Sequence, residues 1–160
     1  MRELNTLLQE KLSKSHKTAF LGVGSVLRSD DGVGMYLIEQ LSTQLKKDQF
    51  LLLAGSTAPE NFTGVIKDFA PDLLLVIDAA ELGLPVGEIR LIDPEEIEGL
   101  TFSTHMLPLS FMFQYLSMEI DCEILCIGIQ PQSTEQGFIV CEEVKKAAEH
   151  LSKILCDALR

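Results

Sequence analysis

The chain has 160 residues, 46% of them apolar, and a net charge of −11 from 24 acidic and 13 basic residues. That length fits one domain with one core, residues 1–160, and the apolar share excludes a disordered chain. The acid excess and the lack of a basic run exclude nucleic-acid binding, because displacing phosphate counterions takes clustered Lys and Arg. The longest apolar run in mid-chain, Leu73–Ile77, falls far short of the roughly 20 residues of a membrane span. Charges also run through the N-terminal segment where a signal peptide would be apolar, so a cytoplasmic protein without membrane contact is expected.

Leu4, Leu7, Leu8 and Leu12 recur at helical spacing, so residues 3–16 read as an amphipathic helix packed on the domain or on a partner. Thr18 to Gly24 is short, apolar and closed by glycines, the pattern of a buried strand entering a tight turn. Asp30 or Asp31 stands where it would cap the next helix, whose apolar face is Val33, Tyr36, Leu37, Ile38 and Leu41. Phe50 to Ala54 is a second strand, and Pro59 opens a helix carrying Phe62, Val65, Ile66 and Phe69. Leu73 to Ile77 has the continuous apolar character of a strand covered on both faces. Pro85 and Gly87 turn the chain before Glu88 to Ile92, which alternates as an edge strand would. A helix follows from Pro108 through Phe111, Met112, Tyr115 and Leu116, then a strand from Glu123 to Ile129 and a helix over 138–159. Such alternation predicts a three-layer α/β/α fold. Its mostly parallel twisted sheet would have about five strands, one antiparallel or at an edge, with helices on both faces.

Four cysteines, Cys122, Cys126, Cys141 and Cys156, show no CxxC spacing and no nearby His, so they read as packing residues. Ligands of open α/β sheets gather beyond the carboxyl ends of the strands. Those ends carry Gly22 to Gly34 with the pair Asp30-Asp31, then Asp78-Ala79-Ala80, then Gly128-Ile129-Gln130-Pro131, while His105 precedes a helix. A dinucleotide site fits poorly. Leu27 stands where GxGxxG needs its third glycine, and the two aspartates would repel a pyrophosphate.

Of the acid pair, one carboxylate suits a helix N-terminus, and two adjacent ones each need their own compensation. In the division expected here, Asp30 bonds loop or helix amides and Asp31 faces the cleft. Asp78 directly follows five apolar residues, where a carboxylate is costly unless it finds partners at the sheet's end; it either caps a turn to Ala79 and Ala80 or meets a ligand. His16 and His150 lie in expected helices without such company. Asp31, Asp78 and His105 together make an O₂N set with open positions, suited to Ni, Zn, Mn or Fe.

The ordered blocks Gly22-Val-Gly-Ser25, Asp30-Asp31-Gly32-Val-Gly34, Ser56-Thr-Ala-Pro-Glu60, Asp78-Ala79, Pro85-Val-Gly-Glu-Ile-Arg90, Thr104-His105 and Gly128-Ile-Gln-Pro131 carry a resemblance. Over residues 18–155 the chain resembles the hydrogenase maturation endopeptidases. Gly87 to Pro94, Thr104 to Pro108 and Gly128 to Pro131 resemble the branch serving the formate hydrogenlyase complex and related membrane-bound hydrogenases. Two departures stand out. Ser25 replaces the family's Asn, so a loop hydrogen bond is lost or remade by the hydroxyl, and residues 1–16 extend beyond the usual start.

The resemblance implies an endopeptidase, formally of the aspartic type, that removes the C-terminal extension of the [NiFe] hydrogenase large-subunit precursor after nickel insertion. Its metal-contacting and catalytic residues carry over to Asp31, Asp78 and His105. Nickel would come with the substrate, no organic cofactor is expected, and a monomer suits an enzyme that docks a much larger subunit. The alternative is a non-enzymatic nickel or precursor chaperone on the same fold.

Overall fold

The computed structural model describes residues 2–94 and 106–160, with side chains from 109 onward in the second span. Among these, five strands form one sheet: β1 (Thr18–Val23), β2 (Phe50–Ser56), β3 (Leu73–Ala79), β4 (Ile89–Ile92) and β5 (Glu123–Ile129). The helices are α1 (Arg2–Lys14), α2 (Val33–Gln44), α3 (Thr63–Phe69), α4 (Met106–Glu119) and α5 (Glu142–Ala158). Strand order is β2-β1-β3-β5-β4, all parallel except β4, which runs antiparallel to β5 at one edge. The expected three-layer architecture is observed, and the one strand expected to be antiparallel or at an edge, β4, is both.

Period-two alternation in the central strands divides the core. Phe20, Leu73, Leu75, Ile77, Ile127 and Ile129 face α1, α2 and α5. Ala19, Leu21, Val23, Leu74, Val76 and Cys126 face α3 and α4. Every residue of β1 and β3 is buried, the signature of parallel strands covered on both sides. In α1, Leu4, Leu8 and Leu12 enter the first of these cores, each contributing about 2 kcal/mol of apolar burial. The N-terminal extension is therefore part of the core.

Several boundaries move for physical reasons. α1 stops at Lys14, so His16 lies in the turn beyond it, where its amide and that of Lys17 donate to Asp72 Oδ2 at 2.8 Å each. A 3₁₀ turn, Pro59–Phe62, precedes α3, and Ile66 is its buried residue while Val65 is exposed. Among the described side chains of α4 the core contacts are Leu109, Met112, Phe113 and Leu116, while Phe111 and Tyr115 are 65% and 43% exposed. α5 begins at Glu142 rather than near 138, because residues 132–141 are bonded to the loop after β1.

In this order the chain leaves β1 for β2 on one side and returns to β3 on the other. The reversal leaves a crevice at the carboxyl ends of β1 and β3, where ligands of such sheets bind.

Candidate active site

The site grows from a close approach of helix to sheet. A Cβ on Gly22 would lie 2.5 Å from the Gly34 carbonyl oxygen, and one on Gly34 would lie 2.6 Å from that of Val23 and 2.7 Å from that of Ile77. Only hydrogen at these positions lets the first turn of α2 rest directly on β1 and β3. Gly24 has φ +123°, and a Cβ there would meet the Asp31 carbonyl oxygen at 1.9 Å. The glycine spacing is thus accounted for by packing, with no phosphate needed.

The 3₁₀ turn Ser29–Gly32 leads into α2 and packs against β3. Neither aspartate caps α2: Gly32 occupies the N-cap and no side chain bonds there. The expected division of labour between the two does hold for Asp30. This residue is 1% exposed, and its Oδ2 accepts from the amides of Gln132 (2.8 Å) and Ser133 (3.2 Å) while Oδ1 accepts from Cys141 (2.7 Å). Three amide donors offset the cost of burying the carboxylate. They also join the β1 loop to the strap that leads into α5. The seam continues with Ser29 N–H to Gly137 O (2.9 Å), Gly137 N–H to Leu27 O (2.9 Å) and Asp30 N–H to Ser133 O (3.1 Å).

Asp31 is equally buried, at 1% exposed, and its Oδ2 accepts from the Ser25 amide at 2.8 Å. Ser25 Oγ in turn accepts from the Leu27 amide at 3.2 Å, so the hydroxyl at the family's Asn position does make a loop bond. Asp78 lies within β3, one residue from its end, and is 6% exposed. By alternation it falls on the α4 side of the sheet, and it lines a small apolar pocket with Val76, Ala80, Ile92, Leu109 and Cys126. β1 and β3 are neighbours with Gly22 opposite Ile77, so Asp31 and Asp78 stand at adjacent strand ends. The third candidate, His105, lies outside the described residues. Among the described residues no three His, Cys, Asp or Glu side chains form a group able to hold a metal ion.

Cys126 shares the Asp78 pocket, and burial, then the negative charges of Asp78 and Asp93, push its thiol well up. It stays a neutral thiol, as a packing residue should. Burial likewise raises Cys122, to about 12, and all four cysteines are free.

Gln130, placed by the sequence at a strand end without a role, holds the crevice together. At 4% exposure its Oε1 accepts from the amides of Leu82 (2.7 Å) and Leu84 (3.3 Å), and its Nε2 donates to Glu81 Oε1 (3.0 Å) and to the Pro131 carbonyl (3.1 Å). Its backbone bonds Gly87 and Glu88. One side chain therefore holds the loop after Asp78 and the end of β5 in one arrangement. The signal was the one that singled out Asp78: a polar residue directly after an apolar strand.

A family model described as hydrogenase maturation protease matches residues 35–158. The hydrogenase 3 maturation protease of Escherichia coli K12 is 35% identical over 130 residues, covering 81% of this chain and 82% of that protein. In three dimensions the chain is similar to the crystal structure of a [NiFe] hydrogenase maturation protease, HycI, from Thermococcus kodakarensis. That match has a TM-score of 0.88 and 32% identity over 96% of this chain and 98% of the other. The solution structure of the E. coli endopeptidase HycI aligns with a TM-score of 0.77 and 33% identity over 88% and 90%. The Thermococcus match leaves 4% of this chain uncovered, less than the 13 residues of α1, so α1 is at least partly shared with that protein.

Proposed function

The chain belongs to the hydrogenase maturation proteases, and from that premise we propose that nickel already seated in a [NiFe] hydrogenase large-subunit precursor licenses the cut it makes. In this reading the protein is an endopeptidase. It removes the precursor's C-terminal extension, consuming one water and leaving a new carboxylate on the mature subunit and a free amine on the released peptide. The hydrogenase 3 name of the E. coli relative supports a precursor of that type.

The observation that carries the reading is the burial of two carboxylates, Asp31 and Asp78, at adjacent strand ends of the crevice. Carboxylates taken out of water are costly unless they meet donors or a cation. Hard oxygen donors held by a rigid sheet suit a divalent ion such as nickel, and low local dielectric strengthens that attraction. The Ser25 amide fixes the Asp31 carboxylate before substrate arrives, so little ordering remains to be done on binding. His105 would complete the contacts as the imidazole ligand. The nickel belongs to the substrate, and the metal state of the precursor becomes a condition for cleavage. No organic cofactor takes part, and a monomer serves the docking of a much larger partner.

The test is a mass measurement on purified precursor mixed with this protein. Nickel-loaded precursor should lose its C-terminal peptide, and nickel-free precursor should stay intact. Precursor that binds but keeps its full mass would replace the protease with a chaperone, and equal cleavage of both forms would remove nickel from the mechanism.

A further inference from the structure

The loop that carries Asp31 and the strap bonded to it both turn large apolar side chains outward. Val26 and Leu27 are 54% and 56% exposed, and Phe138 and Ile139 are 80% and 75% exposed. The Gly137-to-Leu27 amide bond and a bridge between Arg28 and Gly137 hold the two pairs side by side. Contiguous exposed apolar surface on a rigid frame marks an interaction site more often than an accident of folding. Between these loops runs a cleft of about 180 Å³ whose walls include Val26, Met35, Phe138 and Val140. That is below the roughly 300–1,000 Å³ of small-molecule sites, so it suits a side chain rather than a cofactor.

Tyr36 and Glu39 also line the cleft, and around Tyr36 the surface is acidic. Tyr36 donates to Glu149 at 2.7 Å, and its hydroxyl is pushed up to about 12, first by that bond, then by burial and by the charges of Glu149, Glu142 and Glu39. Among the described residues no Lys or Arg pairs with these three carboxylates. A second copy of this chain, at −11, would bring more negative charge to a place that already has an excess. Gly32, next to Asp31, lines the same cleft, so a polypeptide that reaches Asp31 passes over it.

We propose that this cleft docks the hydrogenase large-subunit precursor, taking one apolar side chain between Val26 and Phe138 with a Lys or Arg beside it facing Glu39, Glu142 and Glu149. The inference rests on the reading of the chain as a precursor-processing protease. It adds a specificity surface outside the carboxylate pair. The loops are already bonded to each other, so docking costs little chain entropy and affinity resides in the apolar contacts.

The experiment titrates nickel-loaded precursor against the full chain, with Kd read in an Asp78→Asn background that keeps the precursor uncleaved and KM read in the Asp78 enzyme. The double variant Val26→Ser, Phe138→Ser should raise both by about tenfold or more with kcat nearly unchanged, and Glu39→Lys should raise them by roughly two- to fivefold at low salt. Met118→Ser, an 84% exposed site on α4, should change neither. In the unsubstituted protein, precursor should slow hydrogen exchange at residues 26–28 and 137–140. Unchanged Kd in the double variant, or protection confined to the Phe111–Met118 face of α4, overturns the docking site while leaving the cleavage reading intact. Binding that depends on Phe138 without any cleavage supports the docking site and overturns the protease.

Discussion

The two ends of the sheet use the same chemistry at different depths. At the amino end Asp72 is exposed, and its Oδ2 accepts the amides of His16 and Lys17, closing the connection between α1 and β1. At the carboxyl end Asp30, Asp31 and Asp78 are all nearly excluded from solvent, and Gln130 is buried with them. An exposed staple is partly replaced by water when broken; a buried carboxylate has no such substitute. The carboxyl end therefore carries polar groups that cost stability unless every partner is in place, as expected where a fold holds a reactive site. It also turns apolar residues outward, at Val26, Leu27, Phe138 and Ile139.

Substitutions at the two ends should separate function from stability. Asp78→Asn and Asp31→Asn keep shape but remove charge. Each should lower processing of nickel-loaded precursor by about 100-fold or more, since charge held for the transition state is commonly worth that much. A mature-length product at the normal rate from either variant would unseat the carboxylate pair. Asp30→Ala removes a buried carboxylate that accepts from three amides of the strap and should destabilise the protein by about 3 kcal/mol, lowering Tm by roughly 6–12 °C in a thermal melt. It should also free the strap that bears Phe138. A melt within a degree of the parent would mean that the seam between the loops is not held by this carboxylate.

Gln130→Leu has a smaller expected effect. It keeps volume but releases the loop after Asp78, so kcat should fall by roughly tenfold while KM moves little. A change in stability with no change in kcat would reduce Gln130 to a packing residue. Asp72→Asn is the mildest, at about 1 kcal/mol near neutral pH with unchanged processing. The Lys17 and His16 amides hold the Asp72 carboxyl below its ordinary value of 3.8. A lowered folded value means that its stabilisation is present above pH 4 and lost as pH falls through the folded value. The stability gap between parent and variant should therefore close in acid urea melts below about pH 4, and a gap that persists at pH 2 would exclude the charge as its origin.

Much of this was legible in the chain alone because it depends on local order. Five consecutive apolar residues before Asp78 identify both a central strand and a carboxylate at its end, and alternation over Glu88–Ile92 identifies a half-exposed or edge strand, whose antiparallel direction only the folded chain shows. The ordered motifs led to the family by the same local reading. His105 entered by its place before a helix near those strand ends, and then by its motif, and it lies outside the described residues. Exposure is different, since helical spacing places Phe111 and Tyr115 on a face without saying how wide the covered face is. Among the described side chains of α4, those covered are Leu109, Met112, Phe113 and Leu116.

Tertiary structure alone decided where Asp30 sends its bonds. Its partners lie 102 to 111 residues away, so no spacing rule links them, and the helix cap that its position implied is not made. The same long-range bonds shortened α5: with its amide held by Asp30, Cys141 is extended, residues 138–141 stay outside the helix and Phe138 is exposed. Sequence determined which residues could form strands, a core and a strand-end carboxylate, because those follow from periodicity and the cost of burying charge. Which carboxylate became the clamp between the β1 loop and the strap depended on donors that only the folded chain brings within 3.2 Å.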